Sequence, residues 1–184
     1  MKERPILFSG PMVRAILGGR KGQTRRVMKP QPLFFTGRKY IVPDDAPKKY
    51  HDCDDIRECC PYGVRGDRLW VRETWGHTGH GVWSSRDSEF AQNGKLVYRA
   101  DGDDGISGWF PSIHMTRRAC RIILNVTGVK VERLQDISEE DAKAEGVRPM
   151  RGGCDEIYVG REGPGNLVTP WPTAKEAFAD LWES

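Results

Sequence analysis

Nowhere in the 184 residues does an apolar run approach the roughly 18–20 residues that a bilayer-spanning helix needs. The opening Met1-Lys2-Glu3-Arg4-Pro5 leads into only a short apolar stretch, too little for a secretory signal. Cysteine is scarce and odd in number, with five thiols at Cys53, Cys59, Cys60, Cys120 and Cys154. Without an export signal, that usage fits a reduced cytoplasmic protein rather than a disulfide-stapled one. Paired CxxC spacing is missing as well. His51, Cys53, Cys59 and Cys60 fall close together, but adjacent cysteines rarely ligate one tetrahedral ion, so they read as loop thiols. No metal and no cofactor are expected. There is no internal repeat, which excludes solenoids and propellers.

A strong charge bias is also lacking. The formal net charge is only +3, so basicity alone does not establish a nucleic-acid partner. The distribution is more informative. Residues 1–32 hold eight basic side chains and one acidic one. Further basic clusters are Arg65, Arg68 and Arg72, then Arg117, Arg118 and Arg121. Acidic residues gather at Asp52–Glu58 and Glu132–Glu145. The asymmetry suits one positive face for a polyanion; ordinary solvated surface charge is the alternative.

What is present is enough apolar content, 38% of residues, to bury a core. Pro5–Phe8 reads as a strand. Ser9-Gly10-Pro11 opens a helix in which Met12, Val13, Ile16 and Leu17 share a face, and Gly18-Gly19 ends it. The alternation in Arg68–Trp75 makes it the best strand in the chain, with Leu69, Val71 and Glu73 on one side and Trp70, Arg72 and Thr74 on the other. Trp70 and Trp182 read as core or its edge. Leu96–Ala100 and Ala119–Val126 read as further strands. Ser138-Glu139-Glu140-Asp141 resembles a capping box, and Gly146 stops the helix that follows. Thr173 caps a last helix with a stripe of Ala177, Phe178, Leu181 and Trp182. Residues 29–63, 76–95 and 148–170 read as loop insertions, the last of them glycine-rich and mobile. Short strands with few helices predict an α+β fold, a small mixed β-barrel in a single domain over residues 1–184.

Several of these stretches carry a family resemblance. Ile16-Leu17-Gly18-Gly19-Arg20-Lys21-Gly22-Gln23-Thr24-Arg25-Arg26 resembles the signature of the ASCH family, whose fold is PUA-like. Gly66-Asp67-Arg68-Leu69-Trp70-Val71-Arg72-Glu73-Thr74, Ile113-His114-Met115 and Leu134–Gly146 fit the same family in order. In particular the chain looks like phage and prophage ASCH proteins, which implies the cytoplasm of a bacterial host cell. The resemblance implies a barrel with flanking short helices, a cleft, and RNA or a modified nucleoside as partner, with no membrane. It also implies a family activity: one bacterial branch hydrolyses N4-acetylcytidine with a lysine, a threonine three residues later and a distant glutamate. These match Lys21, Thr24 and Glu145. The resembling phage proteins usually continue past Leu181–Ser184 into an aromatic strand, so an exposed sheet edge, or one covered by the last helix, is expected.

The chemistry is sound for such a site. A threonine hydroxyl needs a base before it can attack. Lys21 has cationic neighbours in Arg20, Arg25 and Arg26; partial burial would lower its pKa further and free its amine. Glu145 is suited to orient that lysine or relay a proton. Two functional classes stay open. In one, Arg20, Arg25, Arg26, Arg72, Arg117 and Arg118 bind nucleic acid, with loop residues Trp83 and Trp109 stacking on bases. In the other, Lys21, Thr24 and Glu145 form a metal-independent amidohydrolase. The basic-cleft binder is the primary expectation. Oligomeric state is left open.

Overall fold

The computed structural model describes residues 1–29, 31, 34–36, 39–41, 46, 60–79, 93–102, 106, 108–152, 155–162 and 168–182. The chain is a mixed fold of short strands and few helices. The described strands form two three-stranded and two two-stranded sheets, with no closed barrel among them. Among the described residues no helix is long and apolar enough to cross a membrane. The chain divides into two compact units, residues 1–10 with 27–131 and residues 11–26 with 132–184.

The first unit is built on strands β1 (Glu3–Leu7), β4 (Arg68–Arg72) and β7 (Ile123–Asn125). The central β4 pairs in parallel with β1 and antiparallel with β7. Alternation along β4 works as the sequence requires: Leu69, Val71 and, just beyond the strand, Glu73 are buried. Trp70 and Arg72 take the opposite, half-buried side. The Gly66-Asp67 turn is held by the Lys2 backbone N–H, which donates to Asp67 Oδ1 at 2.7 Å. Strands β5 (Trp75–His77) and β6 (Leu96–Tyr98) make an antiparallel pair. Trp75 is fully buried against Met115 and Ala119, its ring 5.0 Å from that of Phe110. The short pair β2 (Phe34–Thr36) and β3 (Lys39–Ile41) lies in the stretch read as an insertion. Of the strand expected over Ala119–Val126, only Ile123–Asn125 is regular.

Helix α1 (Gly10–Leu17) leads into the second unit and ends at Gly19, whose φ of 69° lies where glycine is tolerated. Helix α2 (Glu139–Ala144) is capped by Ser138, whose side chain accepts from Asp141 N–H. The Asp141 carboxylate accepts from Gln23 and Arg25. Gly146, at φ 104°, ends the helix in a left-handed conformation; a side chain there would crowd Ala15 and Lys21.

The mobile loop expected over 148–170 is corrected by the structure. Strands β8 (Arg148–Gly152), β9 (Asp155–Glu162) and β10 (Val168–Trp171) form an antiparallel sheet in the order β10-β9-β8. The glycines that argued for a loop are partly there for packing. A Cβ at Gly160 would collide with the Ala177 carbonyl of helix α3 (Ala174–Trp182), which lies on β9. Tyr158, Ala174, Ala177 and Phe178 join Ile137, Ala142 and Val147 in one core. Glu139 accepts from the Ala174 N–H at 2.9 Å, so α2 supplies a cap for α3.

Candidate functional site

After α1 the chain turns at Gly18-Gly19 and runs against the C-terminal end of α2. The N–H groups of Gly22 and Gln23 both donate to the Ala144 carbonyl, at 2.8 and 3.0 Å. Lys21 and Glu145 sit opposite each other in an antiparallel bridge. This backbone pairing satisfies carbonyls that a helix leaves open at its end. It also brings together two residues 124 positions apart.

Lys21 Nζ donates to Glu145 Oε2 at 2.7 Å and to the Glu145 carbonyl at 2.7 Å. Both side chains are almost sealed, 2% and 5% exposed. The other oxygen, Oε1, accepts from Arg25 at 3.0 Å. Arg25 also donates to Glu132 at 3.1 Å and to Asp141 at 3.2 Å, and its guanidinium lies over the Phe178 ring. Burial works against the charge on Arg25, but its hydrogen bonds to Glu132 and Glu145 outweigh that and raise its pKa. Lys21 goes the other way. Burial lowers its pKa, Arg26 and Arg25 add to the effect, and the opposing pull of Glu145 does not restore it.

Thr24 is half-buried on the same segment, and its hydroxyl has no hydrogen-bond partner among the described residues. Of the expected reacting set, Lys21 and Glu145 are therefore in direct contact. Thr24 lies three residues further along the strand-like stretch that carries Lys21.

The expected nucleic-acid arginines fare differently. Arg25 is not an open phosphate ligand: its charge is engaged by three carboxylates. Arg117 is ion-paired to Glu3 at 3.0 Å. Arg20 is exposed and near the Gly146 carbonyl, and Arg26 near that of Arg25. Arg72 donates to the Ile113 carbonyl and stacks on Trp70. Arg118 is exposed, and Trp109 is half-buried beneath the Arg99 guanidinium at 5.2 Å. Trp83, with His51, Cys53 and Cys59, lies outside the described residues. Cys60 is described and is a free thiol.

The sequence reading missed Glu132 and Asp141 as partners of Arg25. It also missed a second buried carboxylate. Glu73, 1% exposed, is gripped through both oxygens by Arg121, at 2.9 and 3.0 Å. Asp101 binds the same guanidinium, which lies 3.9 Å over the Tyr98 ring. The one available signal was the strand alternation that points Glu73 inward with Leu69 and Val71. No protein-family model, curated protein or solved structure matches the chain.

Proposed function

We propose that the protein is an ASCH-type protein of PUA-like barrel fold that takes an acylated cytosine base or nucleoside and removes the acyl group. Lys21, Thr24 and Glu145 form the reacting set. The observation that carries this reading is the sealed Lys21–Glu145 contact at 2.7 Å with the lysine pKa lowered by burial. Burial shifts that amine toward its neutral form, the form that can act as a base. The parallel β1–β4 pair, with β7 beside it and α1 following β1, supports the fold assignment.

The steps balance without a metal. The Thr24 oxygen bonds to the acyl carbon while its proton passes to neutral Lys21. The tetrahedral intermediate collapses, the C–N bond breaks, and the cytosine amine leaves with the proton that Lys21 held. Water then hydrolyses the threonine ester, releasing the carboxylic acid. Glu145 holds Lys21 in place and steadies its charge between these steps.

A second reading, binding of RNA or a modified nucleoside without chemistry, keeps support from the basic segment Arg20–Arg26. It is weakened at Arg25, whose guanidinium is already engaged by three carboxylates. Incubation with N4-acetylcytidine, followed by chromatography, separates the two. Deacetylation that disappears in Lys21→Met and Thr24→Val supports hydrolysis. Binding of the intact nucleoside with no product supports the second reading.

A further inference from the structure

Arg25 stands in the middle of the Lys21 site, and its fork is divided among partners on different sides. Nε donates to Glu132 at 3.1 Å, Nη2 to Asp141 at 3.2 Å, and Nη1 to Glu145 Oε1 at 3.0 Å. The same Nη1 donates to Gln23 Oε1 at 3.3 Å. The Phe178 ring of α3 lies against the guanidinium. A planar group tied at this many points keeps one orientation, which a lysine ammonium in its place would not. All of these residues belong to the second unit.

The consequence falls on Glu145. Its side chain is 5% exposed and its two oxygens are divided, Oε1 to Arg25 and Oε2 to Lys21. Lys21 therefore meets one carboxylate oxygen and the Glu145 carbonyl, rather than both carboxylate oxygens. Without Arg25 the carboxylate is free to turn its whole charge on the lysine, which would then hold its proton more tightly. Burial is the largest influence on the amine, Glu145 pulls against it from the end of α2, and Arg26 and Arg25 act with it from the lysine's own segment. Helix α1 meets Lys21 through the Ala15 carbonyl, and α3 presents the uncharged Phe178 to Arg25. Glu132 and Asp141 bear on Arg25 and fix the fork from its far side.

We propose that Arg25 is a positioning residue for the reaction at Lys21: it holds Glu145 so that a single carboxylate oxygen meets the amine, and so keeps the lysine ready to take the threonine proton. It acts through Glu145 and carries no proton itself, since a guanidinium keeps its charge. The role rests on the hydrolase reading, but the state of the Lys21 amine is measurable without turnover.

Two readouts on the full-length chain test it. The first is an NMR titration of Lys21 with isotope-labelled lysine Cε, the signal assigned by its loss in Lys21→Met. Arg25→Met should move the midpoint up by about one pH unit. Arg25→Lys keeps the charge but loses the fork, so it should move the midpoint the same way by about half as much. The second readout is hydrolysis of N4-acetylcytidine over the same pH range. The rise in rate should move with the amine, leaving Arg25→Met about tenfold slower below the midpoint and close to the wild type above it. Circular dichroism shows which variants fold, and Arg25→Lys carries the same test if Arg25→Met does not. A midpoint unchanged or lowered in the folded variants overturns the proposal. So does a rate reduced equally at every pH, which would make Arg25 a fastener like Arg121. No product from the wild type overturns the hydrolase reading and the kinetic role with it. An unmoved midpoint beside wild-type turnover overturns the Arg25 role alone, so the two failures are distinguishable.

Discussion

Among the described residues, each unit of the molecule buries one glutamate almost completely and satisfies it with cations, but the cations differ. In the first unit Glu73 is held by Arg121, whose guanidinium is also bound by Asp101 and covered by Tyr98. Burial opposes the charge on Arg121, yet its hydrogen bonds to Glu73 and Asp101 prevail and its pKa rises. That cation keeps its proton at any pH the protein meets, so the pair fastens β4 to the segment before β7 and performs no proton chemistry. In the second unit Glu145 meets a lysine, and burial lowers the lysine's pKa. Two similar contacts therefore have different capacities. The first is built on a cation whose charge its partners reinforce, the second on one whose charge burial weakens.

The largest effect should separate these two glutamates. Glu145→Gln leaves Lys21 sealed without its counter-charge and should cost about 3 kcal/mol of stability near neutral pH. Glu73→Gln should cost about 2 kcal/mol, since Arg121 keeps Asp101. The pH dependence distinguishes them further. Folded Lys21 has a pKa below its ordinary 10.5, so between the two values the unfolded chain binds more protons and stability rises with pH. Removing Glu145 deletes the contributions that raise the folded value and widens that window. The Glu145→Gln deficit should therefore shrink as pH rises from about 7 towards about 10, whereas the Glu73→Gln deficit stays flat. Urea unfolding of the variants across that range is the measurement, and two parallel curves would erase the comparison.

A smaller loss is expected for Lys21→Met. Glu145 retains Arg25, so the penalty should be about 1–2 kcal/mol in the same unfolding assay, against an activity loss that is near complete. A large stability loss with activity retained would make Lys21 a fastener like Arg121. The smallest effect belongs to Ser138→Ala, which removes the cap of α2 and should cost about 1 kcal/mol while leaving the charge pairs in place. Thermal unfolding with a turnover assay checks both halves of that statement.

Local rules were readable from the residues wherever one element decided the outcome. Gly19 and Gly146 stop helices because the backbone there needs a left-handed conformation, and the sequence announced both. Ser138 caps α2, and Leu69, Val71 and Glu73 face inward on β4, as alternation required. The contact of Lys21 with Glu145 was legible only through the family resemblance, since no periodicity links residues so far apart. The sheet β8-β9-β10 was illegible for a different reason. Its glycines read as loop signals, whereas Gly160 serves the close approach of β9 to α3. Arg25 was misjudged because a basic run suggests an open face; its carboxylate partners lie more than a hundred residues away. Exposed charge and engaged charge look alike in sequence, and only the fold separates them.

The central claim is that Lys21 is a proton-exchanging group serving Thr24. The most direct measurement is the pH dependence of N4-acetylcytidine hydrolysis by the wild-type chain and by Lys21→Arg. The account predicts a wild-type rate that climbs with pH through one ionisation below the ordinary lysine value, with an acetyl adduct on Thr24 detectable by mass spectrometry at early times. Lys21→Arg should show neither, because an arginine keeps its charge and its place but cannot accept the threonine proton. No product from the wild type, or equal turnover and the same pH profile in Lys21→Arg, would contradict it.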